Sequence, residues 1–173
     1  MKNYALYLFV ILFCFLTVPP VAQAGTGTAQ KKIIGETAWI EVGGLGFPLL
    51  ARIDTGARIC SIHAIDVRVD DPAPELQDNV GKDVRFTVEN RLGQRQEMHS
   101  RIVKVSEVRN SQGIEKRYVI LLPFAWHGIE KEVEVNLRDR SRMSYKLLIG
   151  RNWLSHDFLV DVDIKADNGK KQP

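Results

Sequence analysis

Residues 53–57 read Ile-Asp-Thr-Gly-Ala, and this stretch stands where an alternating segment runs into a tight turn. Upstream, apolar residues recur at every second position in two segments, which Gly-Gly-Leu-Gly at 43–46 separates: Ala38, Ile40 and Val42, then Phe47, Leu49, Ala51 and Ile53. A period of two on both sides of a glycine-rich turn predicts a β-hairpin. This hairpin carries Asp54 to the end of its second strand.

The turn that follows Asp54 is suited to holding a carboxylate in one place. Gly56 allows the backbone to approach closely because it has no Cβ, and the Thr55 hydroxyl can bond nearby backbone groups. Asp and Gly are also ordinary turn residues. The tripeptide alone therefore leaves a catalytic and a structural role open.

Short alternating segments continue along the chain. They predict strands at residues 84–88, 101–108, 118–122, 132–137, 145–149 and 158–164. Turn-forming residues predict loops at 70–81, 90–93, 110–113 and 127–128, and residues 152–156 predict one short helical turn. Many short strands with frequent turns indicate an all-β sandwich or barrel.

Length and composition are typical of one globular domain. The chain has 173 residues, of which 45% are hydrophobic and 26% charged. The net charge of +3 is small, and aromatic residues do not interleave with a basic run. We therefore expect no nucleic-acid partner.

The N-terminal segment has the order of features found in secretory signal peptides. Lys2 precedes an apolar run over residues 4–18, and Ala-Gln-Ala at 22–24 offers a cleavage site. The run is shorter than the roughly 20 residues of a spanning helix, although an uncleaved anchor stays open. We expect a signal peptide at 1–24, export to the periplasm (or secretion where there is no outer membrane), and no stable membrane anchor.

The mature chain then divides into three parts. We expect a flexible linker at 25–32, a folded domain at 33–165 and a polar tail at 166–173.

Cysteine and histidine usage argues against disulfide and metal chemistry. Cys14 leaves with the signal peptide, so Cys60 has no partner for an internal disulfide. Its apolar neighbours predict a buried side chain, and His63 three residues later leaves a nucleophilic role open. The histidines lack the spacing of zinc ligands, and no phosphate-binding glycine loop is present. We predict no metal site and no cofactor.

A second motif lies far downstream. Residues 147–154 read Leu-Leu-Ile-Gly-Arg-Asn-Trp-Leu, an apolar strand that runs into Gly-Arg-Asn and a short helix. Together with the Asp-Thr-Gly-Ala turn, it resembles retroviral-type aspartic proteases. With residues 108–113 and 139–145, the chain is closer still to a bacterial family of retropepsin-like aspartic endopeptidases, whose members have long carried the name ATP-dependent zinc protease. The resemblance spans residues 33–164.

The resemblance implies a closed retropepsin-like (acid protease) β-barrel with a short C-terminal helical turn. It also implies an aspartic endopeptidase that works as a homodimer, since the chain supplies one Asp54 and the chemistry needs two carboxylates. The catalytic turn would be Asp54, Thr55 and Gly56. Two carboxylates about 3 Å apart share one proton; one activates water and the other stabilises the oxyanion. The alternative is a catalytically silent retropepsin-like module that binds peptides or assists assembly.

The same resemblance suggests the substrate contacts. Ala57, Arg58 and Arg151 would line the cleft, and the hairpin over residues 108–117 is either a flap with Ser111 and Gly113 at its tip or a plain surface hairpin. Arg58 stands where retroviral enzymes carry an acidic residue, which favours an acidic peptide or protein substrate. Arg151 must then find another carboxylate or serve the substrate. The polar residues 165–171 depart from the interleaved terminal strands of retroviral dimers, so the form of the dimer stays open.

Overall fold

The computed structural model describes residues 30–110 and 113–166. The predicted signal peptide at 1–24, most of the predicted linker and tail, and Ser111 therefore lie outside the described residues. The strands are β1 Lys32–Gly35, β2 Thr37–Val42, β3 Leu49–Ile53, β4 Cys60–His63, β5 Ile65–Val69, β6 Asp83–Glu89, β7 Arg95–Arg101, β8 Lys104–Asn110, β9 Gly113–Trp126, β10 Ile129–Arg138, β11 Leu147–Ile149 and β12 Phe158–Asp161. A 3₁₀ turn covers Leu76–Asn79 and the short helix α1 covers Arg151–Leu154.

The largest sheet closes on itself. Its order is β10-β4-β11-β3-β2-β9-β8, and β9 also pairs with β10. Strands β10, β4, β11, β3, β2 and β9 thus form a closed ring, which removes the exposed edges of an open sheet. The predicted all-β barrel with a short helical turn is confirmed.

The centre of the barrel joins the two sequence motifs. Strand β11 lies between β3, to which it is parallel, and β4, to which it is antiparallel. The register places Ile149 opposite Ile53. The Asp-Thr-Gly turn and the Gly-Arg-Asn segment therefore leave the sheet side by side, although they are far apart in sequence.

The two faces of this sheet differ in chemistry. One face, called here the apolar face, packs into the hydrophobic core; its buried members include Ala51, Ile53, Ile62, Ile120, Leu122, Val135, Leu147 and Ile149. The other, called here the polar face, carries Ser61, Ser106, Arg117, Asn136 and Arg138. The pairings Ser61 with Asn136 and Ser106 with Arg117 place these residues together, because directly opposed residues point to the same side.

Two smaller sheets complete the domain. Strands β5, β6 and β7 form an antiparallel sheet that adds Val84, Phe86, Val88 and Met98 to the core. Strands β1 and β12 form a two-stranded parallel ribbon, with Ile33 opposite Leu159. Among the described residues, no helix is long and apolar enough to cross a membrane.

The strand predictions needed correction at several places. Strand β4 was not predicted because all four of its residues are buried, which leaves no alternation to detect. Strand β5 was also missed, although its residues Ile-Asp-Val-Arg-Val alternate; its pairing with β6 shifts register between Ile65 and Arg68. The predicted strand at 101–108 is divided between β7 and β8, and the last strand ends at Asp161 in a turn instead of continuing to 164.

Candidate active site

Asp54 is fixed by its own turn. Its backbone N–H donates to the Ile149 carbonyl at 2.9 Å. Its Oδ1 accepts from the backbone N–H of Gly56 at 2.9 Å and of Ala57 at 3.2 Å. Among the described residues, Oδ2 has no hydrogen-bond partner, so one oxygen is held while the other is available for chemistry.

The segment after β11, residues 150–152, holds the Asp54 turn in place, and we call this segment the clamp. The Arg151 backbone N–H donates to the Ala57 carbonyl at 2.9 Å, and its Nη1 donates to the carbonyls of Thr55 at 2.8 Å and Gly56 at 3.0 Å. The Asn152 N–H donates to the Arg58 carbonyl at 3.1 Å. Arg151 was expected to pair with a carboxylate or with substrate; here it braces the backbone that carries Asp54.

The clamp depends on close packing at Gly150. A Cβ at this position would lie 2.7 Å from the carbonyl carbon of Ile59 and 2.8 Å from its oxygen. Backbone atoms cannot move aside as a flexible side chain can. Glycine at residue 150 is therefore required if the two segments are to stay in contact.

Cys60 and Asn152 join the clamp to the barrel. Asn152 Oδ1 accepts from the Cys60 N–H at 3.1 Å and from its Sγ at 3.2 Å, while Asn152 Nδ2 donates to the Glu134 carbonyl at 2.8 Å. The Gly150 N–H donates to Cys60 Sγ at 3.3 Å. Burial raises the pKa of the Cys60 thiol to about 12. The predicted burial of Cys60 is confirmed, and a thiol with this pKa is not a nucleophile near neutral pH.

His63 does not activate Cys60. Its Nδ1 accepts the backbone N–H of Arg140 at 2.9 Å, inside a nearly fully buried setting. Burial, followed by the positive charge of Lys146, lowers the pKa of His63. Among the described residues, no group of three or more His, Cys, Asp or Glu side chains is placed to hold a metal ion. The residues near the site therefore do not fit a zinc centre.

Three arginines, called here the arginine cluster, lie on or beside the polar face. Arg117 Nη2 pairs with Glu115 Oε2 at 2.5 Å, and Arg138 Nη2 lies 3.7 Å from the same oxygen. The hydrogen bond from Arg117 lowers the pKa of Glu115. Arg140 Nε donates to the Tyr145 carbonyl at 3.0 Å. Glu115 thus faces two guanidinium groups, and Arg140 adds a third positive charge near Arg117 and Arg138.

The arginine cluster is unusually buried and lies in the electrostatic range of Asp54. The Arg117 side chain is 6% exposed, and its Nε has no hydrogen-bond partner among the described residues. The pKa of Arg140 is lowered to about 10, first by burial and then by the charges of Arg138 and Arg117, while the charge of Asp54 opposes this shift. Buried cations without counter-charges are costly. This excess of positive charge is suited to receive an anion.

A depression opens directly beside Asp54. It has a volume of about 410 Å³. Its walls are formed by charged residues, by residues of the Asp54 turn and by apolar residues: Glu36, Arg52, Ile53, Asp54, Thr55, Val160 and Val162.

The remaining predicted contact residues are only partly gathered here. Arg58 is exposed on the turn, and Ala57 is half-buried. Gly113 begins β9 with a φ of 127° and pairs with Asn110, so the predicted hairpin exists. No described hydrogen bond or ion pair joins Gly113 to the Asp54 turn. The arginine cluster was not predicted, although Arg117 one residue before the alternating segment 118–122 was an available signal.

Comparison with known proteins shows the family to which the chain belongs. The family model described as "RimB-like: Retropepsin-like aspartic endopeptidase RimB" matches residues 33–170. A probable alpha-L-glutamate ligase from Shewanella halifaxensis is 35% identical over 134 residues, covering 76% of this chain and 29% of the relative. One from Desulfotalea psychrophila is 28% identical over 145 residues, covering 81% of this chain and 30% of the relative. The chain thus spans less than a third of these curated relatives.

A solved structure supports the same fold. The crystal structure of a protein of unknown function from Legionella pneumophila superposes with a TM-score of 0.63 at 26% sequence identity. The match covers 79% of this chain and 97% of that one.

Proposed function

The chain belongs to the family of RimB-like retropepsin-like aspartic endopeptidases, and from this premise we propose that it is an exported endopeptidase that hydrolyses peptide bonds with an Asp54 dyad. The observation that carries the proposal is the geometry of Asp54. Two backbone N–H groups hold Oδ1, and Oδ2 has no partner among the described residues. A carboxylate held in this way is preorganised for proton transfer.

The mechanism needs a second carboxylate, which we assign to Asp54 of a second copy. Two carboxylates about 3 Å apart share one proton, because both cannot stay ionised at that distance. The ionised member takes a proton from water, and the resulting hydroxide attacks the peptide carbonyl. The protonated member donates a hydrogen bond to the oxyanion. Arg151 acts indirectly by bracing the carbonyls of Thr55 and Gly56.

We further propose that the substrate is an acidic peptide or protein. The arginine cluster and exposed Arg58 offer more cations than Glu115 can neutralise. Carboxylates are the natural partners of guanidinium groups, because the two pair through parallel hydrogen bonds. The curated relatives are named as ligases of L-glutamate. A hydrolase that resembles one part of these ligases and that cleaves glutamate-rich chains is consistent with the excess of arginine side chains.

The test compares parent protein and Asp54→Asn, each as residues 25–173, on matched acidic and neutral peptides at pH 4–6. Asn keeps the shape of the side chain and removes the shared acid. We expect cleavage by the parent, with acidic peptides preferred, and a loss of at least about 10³-fold in the variant. Titrating parent protein with excess Asp54→Asn should also reduce activity as mixed dimers form.

Other outcomes would redirect the assignment. Cleavage that survives Asp54→Asn rejects the dyad. If neither protein cleaves any peptide at concentrations where a dimer is shown to form, the silent peptide-binding module becomes the better account. Activity lost on chelation while Asp54 proves dispensable would favour a metallohydrolase.

A further inference from the structure

Two buried side-chain atoms on the polar face, Ser61 Oγ and Arg117 Nε, have no hydrogen-bond partner among the described residues. Ser61 is 4% exposed and Arg117 is 7% exposed, so neither side chain is freely hydrated. A buried donor that forms no hydrogen bond destabilises the folded chain. A ligand that brings acceptor atoms to this face would remove that cost.

The two unpartnered atoms belong to one polar layer. Ser61 lies directly opposite Asn136 in the pair of β4 with β10, and Ser106 lies directly opposite Arg117 in the pair of β8 with β9. The Ser106 hydroxyl donates to Asn136 Oδ1 at 2.5 Å, which joins the two pairs across the strands. The layer therefore runs from Ser61 to Arg117, where the arginine cluster begins.

The guanidinium group of Arg117 is only half used by its carboxylate partner. Nε and Nη2 lie on the same edge of the planar group, and together they can donate to both oxygens of one carboxylate. Glu115 Oε2 accepts from Nη2 at 2.5 Å, whereas Nε has no partner in the part of the chain that the structure describes. Arg138 Nη2 lies 3.7 Å from the same oxygen, beyond hydrogen-bond distance. Glu115 thus uses one donor of an edge that offers two.

Glu115 lies between this edge and solvent. Its side chain is 39% exposed, whereas that of Arg117 is 6% exposed. The two residues are two positions apart on β9, so their side chains project from the same side of the strand. The hydrogen bond from Arg117 lowers the pKa of Glu115, which therefore stays ionised in more acidic solution than an ordinary glutamate. A ligand that reaches the buried edge must displace this charged side chain.

We propose that Arg117 is the subsite for a side-chain carboxylate of the substrate, and that Glu115 is an internal competitor which this carboxylate displaces. The proposal rests on the proposed function, because it names the groups that receive an acidic substrate. The incoming carboxylate accepts from Nε and Nη2 together, Arg138 and Arg140 add positive charge, and Ser61 Oγ offers a further donor in the same layer. A neutral side chain cannot replace the charge of Glu115, so the competitor makes the subsite selective for carboxylates.

The experiment measures binding without relying on cleavage. The probe is a hexaglutamate peptide, acetylated and amidated so that all of its carboxylates are on side chains, and its affinity is measured by isothermal titration calorimetry. The Asp54→Asn protein is the background for every variant, because it retains the polar face and should not consume the probe. A hexaglutamine peptide with the same end groups is the neutral probe, and inorganic phosphate is the small-anion probe.

Glu115→Gln should strengthen binding of hexaglutamate, because the amide is a weaker competitor than the carboxylate. We expect its dissociation constant to fall at least about fivefold. Glu107→Gln is the matched control: it removes the same charge from the same hairpin, where Glu107 is 63% exposed and lies 4.0 Å from Lys116 instead of the arginines. Its effect should stay within about twofold, because exposed charges are screened by salt. Combined with Arg117→Met, Glu115→Gln should give no gain, since the edge for which the two carboxylates compete is gone.

The outcomes separate the competitor from the peptidase. If Glu115→Gln weakens binding of hexaglutamate or leaves it unchanged, Glu115 is structural and the proposal is overturned, even in a parent protein that cleaves acidic peptides. Equal gains in Glu115→Gln and Glu107→Gln also overturn it, because net charge alone then explains the affinity. Inorganic phosphate that binds through Arg117 more tightly than hexaglutamate overturns a peptide carboxylate as the occupant. A gain that requires Arg117, in a parent protein that cleaves nothing, upholds the subsite and rejects the peptidase.

Discussion

The apolar and polar faces of the barrel sheet are both largely buried, yet they are built for different tasks. On the apolar face, Ile62, Leu147 and Ile149 are each 0% exposed and contact other hydrocarbon side chains. On the polar face, Ser61 and Arg117 are nearly as buried, but Ser61 Oγ and Arg117 Nε lack partners among the described residues. Unpaired buried polar atoms cost stability. The comparison indicates that the first face holds the fold, and we propose that the second serves binding.

Asp54 lies just after β3, beside the segment after β11 that clamps its turn. Its position depends on backbone hydrogen bonds from Gly56 and Ala57, and these depend in turn on Arg151 and Gly150. Substitutions on the apolar face should therefore reduce stability first. Substitutions in the clamp should affect stability and cleavage together, and substitution of Arg117 on the polar face should affect mainly cleavage.

The largest loss of stability is expected from Trp153→Ala in the core. Trp153 is fully buried and stacks on Phe158 with ring centroids 4.4 Å apart. Removing it should lower the free energy of unfolding by about 3–5 kcal/mol, measured by urea denaturation. Trp153→Phe is the control: it keeps a ring in the stack and removes an indole N–H that has no partner among the described residues. Equal losses for both variants would show that the ring volume is not what stabilises the core.

Gly150→Ala should lose somewhat less stability and much more activity. The added methyl would lie 2.7 Å from the Ile59 backbone, so the loop after Asp54 must move. We expect about 1–3 kcal/mol of destabilisation and about a 100-fold loss of kcat/KM. Gly93→Ala is the control, since its φ of 78° strains alanine while nothing crowds the added atom. A loss of cleavage in Gly93→Ala as large as in Gly150→Ala would contradict a role specific to the clamp.

The sequence predicted those parts of the molecule that depend on local patterns. The hairpin of β2 and β3, the turn at His127 and Gly128, and the short helix follow from alternation and turn residues. The pairing of β11 with β3 was not predicted, because no local signal encodes a contact between residues 53 and 149. The role of Arg151 was left open because its partners are backbone carbonyls, which are present at every residue.

The arginine cluster could not be predicted for a related reason. Arginine is usually exposed, and alternation alone would place Arg117 on a solvated face. Its burial arises from the opposition of β8, β9 and β10, which is a tertiary arrangement. The ribbon of β1 and β12 is also tertiary, since its strands come from the two ends of the domain.

Arg117→Met should change recognition while leaving stability within about 1 kcal/mol, because the side chain of its partner Glu115 is 39% exposed and stays solvated, and because the variant also removes a buried Nε that has no partner among the described residues. Glu115 keeps Arg138 nearby at 3.7 Å. We expect kcat/KM for acidic peptides to fall about tenfold and that for neutral peptides to hold. Arg68→Met, on exposed β5, is the matched control. Equal losses on acidic and neutral peptides would assign Arg117 a structural role.

The smallest expected effect is a pH dependence of stability that comes from His63, which lies on the polar face and is 1% exposed. Its pKa is lowered in the folded protein, first by burial and then by Lys146, from an ordinary value of 6.5. Below pH 6.5 the unfolded chain binds a proton that the folded chain resists. His63 therefore does not reduce the free energy of unfolding above pH 6.5. As the pH falls from 6.5 towards the folded pKa, His63 lowers that free energy by at most about 1.4 kcal/mol per pH unit. A protonated ring would also lose the bond that Nδ1 accepts from the Arg140 N–H.

His63→Asn separates this titration from the general effect of acid on the protein. The Asn side-chain oxygen can accept the same N–H, and it carries no proton in this range. Urea denaturation at pH 7, 6 and 5 should show a steeper loss in the parent than in the variant. Parallel slopes would mean that protonation of His63 does not contribute. A steeper parent slope would show that one buried residue of the polar face reduces stability within the acidic range in which the Asp54 dyad is expected to work.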